Sequence, residues 1–125
     1  MTIDEYRLTM TSAQKSMFDA IEMMIKESYP DVCLTLFARQ PLFYLKRFET
    51  IKPHYRPSVM LAFFKDHVNI FTSKNKDYRH LLSMYQFTEK HTLQIYFDQK
   101  LMDETLKHLF IDALEDHHEG GHTDV

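Results

Sequence analysis

Met17, Phe18, Ile21, Met24 and Ile25 recur at three- and four-residue spacing, while Lys15, Asp19, Glu22 and Lys26 fill the positions between. That period predicts a helix over Ser12–Ser28 with one face built for burial. Thr11 or Ser12 can cap its start by accepting a backbone N–H bond, and Pro30 ends it by disfavouring helical geometry in the residue before it. The preceding segment, Ile3 to Met10, has no decisive period.

From Val32 to Ser73 the pattern changes to short apolar runs rich in Phe, Leu, Val and Tyr, broken near Arg39 and Gln40, near Lys52 to Pro57, and near Lys65 and Asp66. Such runs between turn residues predict four strands in two hairpins. The third, SVMLAFF, is apolar on both alternating faces and belongs in the middle of a sheet. The fourth, HVNIFTS, sets Val68 and Ile70 on one side against His67, Asn69 and Phe71 on the other, a mixed face within reach of solvent. KDYRHLLSMY carries Tyr78, Leu81, Leu82 and Tyr85 at helical intervals, TLQIYF reads as a fifth strand, and Met102 to Glu115 reads as a last helix with Leu106, Leu109, Phe110, Ala113 and Leu114 as its buried stripe.

The predicted fold is therefore α+β: a mainly antiparallel five-stranded sheet with three helices, in the order α-β-β-β-β-α-β-α. A chain of 125 residues suits one hydrophobic core. We expect a single domain over residues 1–116 and a flexible, histidine-containing tail over 117–125, where both glycines fall. With 44% apolar and 14% aromatic residues, there is ample material for that core.

Charge and cysteine content narrow the function classes. Fifteen Lys and Arg are interspersed with eighteen Asp and Glu, so no basic stripe marks a nucleic-acid partner. Cys33 is the only cysteine and lies in an apolar run, which fits a reducing compartment and a small buried hydrophobe. The amino terminus, MTIDEYRLTM, lacks the basic flank and apolar stretch of a signal peptide, and no apolar run is long enough for a membrane helix. These features point to the cytoplasm.

Catalytic and cofactor motifs are absent from the sequence. No GxSxG elbow surrounds a serine, so no catalytic residue is assigned. Gly120 and Gly121 are the only glycines, which leaves nothing to cradle a phosphate or a dinucleotide, and no cofactor is expected. Of the eight histidines, His117, His118 and His122 cluster in the tail without preformed geometry. His108, Asp112 and Asp116 follow at one-turn intervals on the last helix and are the metal candidates, although a solvated stripe reads the same way. The ligand candidates are Lys65 and His67 at the second hairpin turn, with Tyr44 or Phe48 as an opposing wall; a hydrogen-bonded strand-end histidine is the competing reading.

The segment AFFKDHVNIFTS resembles the signature of the YdhG-like family of small bacterial proteins, in which a strand, a Lys-containing turn and a His-initiated aromatic strand follow one another. IDEYRLTM and the helix ending in ESYPD resemble the family's opening element and first helix. QPLFYL matches a Gly-Met-Pro-Thr-Phe stretch at Pro41 and Phe43, and YQFTEKHTLQIYFDQKLMDETLKHLF is similar to its closing strand, Asp-containing turn and last helix. The chain departs from the pattern where glycines are expected before Pro41 and after Lys90, the latter being His91. It departs again at Met102, where a proline is common, and in FETIKPHYR, which lengthens the second connection.

The resemblance implies an antiparallel sheet packed with helices, in a group largely of unknown function, one branch of which is described as a frataxin-like iron chaperone for iron–sulfur cluster assembly. The carboxylates are mixed with cations such as Lys15 and Lys26, so they do not by themselves support iron. The reading carried forward is a cytoplasmic, non-enzymatic domain that binds a small molecule or a protein on the aromatic sheet face or near His67, Lys65 and Tyr44, with homodimerisation as one way to cover that face. The iron chaperone is the alternative.

Overall fold

The structure, a computed structural model, describes residues 1–117. Its elements are α1 (Ile3–Leu8), α2 (Ser12–Ser28), β1 (Cys33–Phe37), β2 (Gln40–Tyr44), β3 (Val59–Phe63), β4 (His67–Phe71), α3 (Asn75–Tyr78), β5 (Gln86–Phe87), β6 (Leu93–Tyr96) and α4 (Asp103–Leu114). Two single turns of 3₁₀ helix, Lys46–Phe48 and Pro53–Tyr55, lie in the β2–β3 connection. All strand pairs are antiparallel, and the six strands run in the order β1-β2-β3-β4-β6-β5.

The α+β class and the antiparallel sheet hold, but the expected five strands and three helices become six and four among the described residues. The additional helix is α1, held by a capping box in which the Thr2 hydroxyl accepts from the Glu5 amide while the Glu5 carboxylate accepts from the Thr2 amide. The additional strand is β5, two residues paired with β6. α3 is shorter than expected. It closes after Tyr78 into successive turns, because Leu82 and Tyr85 are drawn into the core while Leu81 and Met84 stay exposed.

α2 follows its predicted bounds, capped by Thr11 with Gln14 in a second capping box. α2 and α4 pack against each other and against one face of the sheet. Phe18 and Ile21 from α2, and Leu106, Leu109 and Phe110 from α4, meet Phe43, Val59, Leu61, Val68, Ile70, Leu93 and Ile95 from alternate strand positions. Phe18 stacks on Phe63 at 5.9 Å and is tilted against Phe43 at 6.1 Å. Full burial of each such side chain contributes about 1.5–3 kcal/mol, so this layer accounts for most of the driving force. The helices occupy one side of the sheet only, and the alternate strand positions form a second, open face.

Cys33 departs from its expected burial. It is half-buried on β1, opposite Tyr44. Of the expected tail, His117 is described, its ring 5.1 Å from that of Phe48, and residues 118–125 lie outside the described residues.

Candidate functional site

Strand alternation decides what the open face carries. Leu42 pairs with Met60 and Met60 with Phe71, so these three form a cross-strand row, and Phe37 joins them from β1. The β2–β3 connection then folds over this row. Its segment Pro53–Ser58 walls a cleft of about 380 Å³, with Phe37, Leu42, Met60 and Phe71 on the sheet side and Thr72, Ser73 and Asp116 at one rim.

Arg56 holds the wall in place. Its guanidinium donates from Nε to the Ile51 carbonyl at 3.1 Å and from Nη2 to the Glu49 and Ile51 carbonyls at 2.8 Å each, and it lies 4.0 Å above the Tyr44 ring. Burial pushes the Tyr44 hydroxyl's pKa up, Cys33 opposite adds to this, and the Arg56 charge works against it. Tyr44 is thus the platform on which the cleft's wall is clamped.

The structure does not bring the four ligand candidates together. Leu42 is level with Phe71, and Tyr44 and His67 lie in opposite directions from that row, which separates them by roughly 20 Å along the strands at ~3.3 Å per residue. Phe48 is a core residue, 7% exposed, beneath Arg47. His67 stacks on Phe64 at 4.8 Å, lies 5.0 Å from Tyr96, and its Nδ1 is 2.8 Å from an Asp66 carboxylate oxygen. That is the hydrogen-bonded strand-end histidine of the competing reading, with Lys65 exposed beside it. Between this stack and the cleft, Gln94 donates to Asn69 at 3.1 Å.

The metal candidates are also apart in their bonding. Asp112 accepts a short hydrogen bond from the Tyr78 hydroxyl, Asp116 accepts from Ser73 and is 3.6 Å from the Lys74 ammonium, and His108 is exposed. Among the described residues, no group of three or more His, Cys, Asp or Glu stands together as a metal would require. Ser73 and His54 both line the cleft, but the Ser73 hydroxyl goes directly to Asp116 and the His54 ring packs edge-on against Tyr55 at 5.1 Å. A Ser-His-Asp relay needs a histidine between hydroxyl and carboxylate, and Ser73, His54 and Asp116 do not form one.

Arg56, which stands in the wall, and Met60, which faces it from the sheet, are not among the residues the sequence singles out. FETIKPHYR, the lengthened connection, was the available signal.

Comparison of the sequence with family models and with curated proteins finds no match. Among solved structures, the chain is similar to YdhG of Bacillus subtilis, a protein of the DUF1801 family, with a TM-score of 0.69 at 14% sequence identity over 90% of this chain and 88% of that one. The YdhG-like resemblance read from the strand and turn motifs is therefore matched at the level of the fold. No helix among the described residues is long and apolar enough to cross a membrane.

Proposed function

We propose that this chain is a YdhG-like cytoplasmic binding domain that takes a small molecule with an apolar body and a polar end into the open-face cleft. The observation that carries this reading is the cleft itself, where an apolar cross-strand row faces a wall clamped by Arg56. Its volume of about 380 Å³ lies within the range of small-ligand sites. The wall comes from the connection by which this chain departs from the family pattern, so the ligand belongs to this chain rather than to the fold. Support for the frataxin-like alternative is weaker, because His108, Asp112 and Asp116 do not form a ligand group.

The test is a two-dimensional amide NMR titration of the full chain with a panel of aromatic and aliphatic carboxylates, amines and amides. The expected result is saturable shifts confined to Leu42, Ser58, Met60 and Phe71, lost in Met60→Lys. Shifts that map elsewhere, or survive in Met60→Lys, or no response to any panel member at millimolar concentration, overturn the reading.

A further inference from the structure

The two edges of the sheet are protected very differently. β5 is two residues long, while β1 offers five, CLTLF, with no charge and no proline. Long uncharged edges are usually blunted because their free backbone groups accept another strand.

Hairpin geometry tells which groups are free. Ala38 and Arg39 form a two-residue loop with positive φ at both positions, 51° and 67°, the pattern of a type I′ turn. Phe37 and Gln40 are then a hydrogen-bonded pair, and alternation makes Thr35 with Leu42 and Cys33 with Tyr44 the next ones. Pro41 agrees, since it pairs with Leu36 where no donor is needed. The N–H and C=O groups of Leu34 and Leu36 therefore point outward, and no other described residue hydrogen-bonds them. α1 flanks this edge from the helix layer, where Arg7 stacks 4.7 Å over Phe18, and its first turn and Leu34–Leu36 bound a groove of about 440 Å³ along the strand.

We propose that β1 is the interface for a second copy of this chain, paired antiparallel about a two-fold axis at Thr35, so that two six-stranded sheets join into one. With Thr35 facing its own copy, Leu34 exchanges both hydrogen bonds with the partner's Leu36, and Leu36 with the partner's Leu34. Just beyond the two ends of this seam, the same register brings the Ala38–Arg39 turn beside the turn at the partner's Asp31, so the exposed Arg39 and Asp31 side chains stand near each other at both ends. Neither has an ion pair within its own chain among the described residues. This end-to-end charge match selects a second copy over an arbitrary extended peptide, and it fixes the register that backbone pairing alone leaves free.

Sedimentation over a concentration series tests the proposal, with Arg39→Glu, Asp31→Lys and the double swap as variants. The expected result is a reversible dimer whose affinity falls about ten-fold or more in each single variant, through like charges facing each other twice, and recovers in the double swap. Amide hydrogen exchange in the wild type is expected to slow at Leu34 and Leu36 as concentration rises. A wild-type chain that stays monomeric at millimolar concentration, or a dimer indifferent to all three variants, overturns it. The cleft reading is tested by a different surface and stands or falls separately.

Discussion

Asn75 is 2% exposed and fully occupied: its amide nitrogen donates to the Ile70 carbonyl at 2.9 Å and to the His91 carbonyl at 2.8 Å, while its oxygen accepts from Thr72 at 2.7 Å. It ties the end of β4 to the β5–β6 turn, and Asn75→Ala, which strands two carbonyls, is expected to cost about 2–3 kcal/mol in urea unfolding with little change in slope. Nothing in SKNKDY distinguishes this asparagine from a surface one, since its partners lie in other elements. His91 was more legible: the family pattern expects a glycine there, and the residue has a φ of 64°. His91→Gly is therefore expected to raise stability by about 0.5–1 kcal/mol, and a loss would show that the 3.1 Å contact of its ring with Arg79 outweighs the backbone. Tyr78 supplies the pH dependence. Burial, reinforced by its hydrogen bond to the Asp112 carboxylate and that group's charge, pushes its pKa from 10.0 up to about 12. The folded state holds the proton more tightly than the unfolded chain, so the contribution is complete below pH 10 and is lost between about 10 and 12. Stability measured across that window is expected to fall more steeply in the wild type than in Tyr78→Phe; parallel curves would remove Tyr78 as the cause.

Among elements, legibility followed length and period. α2, β2, β3 and β4 are readable because each buries a set of positions that no single contact could override, and β1, which buries none fully, is readable from its run of apolar and β-branched residues before the turn at Ala38–Arg39. α1 lies in the segment whose period is undecided, although its capping box, Thr2 with Glu5, is plain in the sequence, because none of its residues is buried and periodicity has nothing to report. Thr2→Ala is expected to fray α1, seen as faster amide exchange over Ile3–Leu8 and a cost of about 1 kcal/mol or less; unchanged exchange would mean that packing on β1 holds the helix without its cap. The expected helix over KDYRHLLSMY failed for the opposite reason. Its spacing was real, but the Tyr85 hydroxyl donates to the Lys100 carbonyl at 2.6 Å and accepts from the Met102 amide at 2.8 Å, which draws the chain out of helix toward β5. β5 itself is too short to leave a period.

At the scale of the whole molecule, the open face was anticipated from the mixed side of β4, and its cleft was not, because a wall folded over from a loop depends on the clamp between Arg56 and Tyr44. Tyr44→Ala is expected to release that wall, read as faster exchange over residues 49–57 with the helix-layer core unchanged; equal loss of protection throughout would instead make Tyr44 a general core residue. The strand order also bears on how the chain folds. From β1 to β4 every pairing joins neighbours in sequence, but β4 pairs next with β6, across the stretch that holds α3 and β5. The meander can zip locally at low loop-closure cost, whereas the β4–β6 seam has to wait for a longer loop to close. Truncations at Leu93 or Ile95 should then mainly speed unfolding and leave the refolding rate nearly untouched, so the last seam to form would be the first to open.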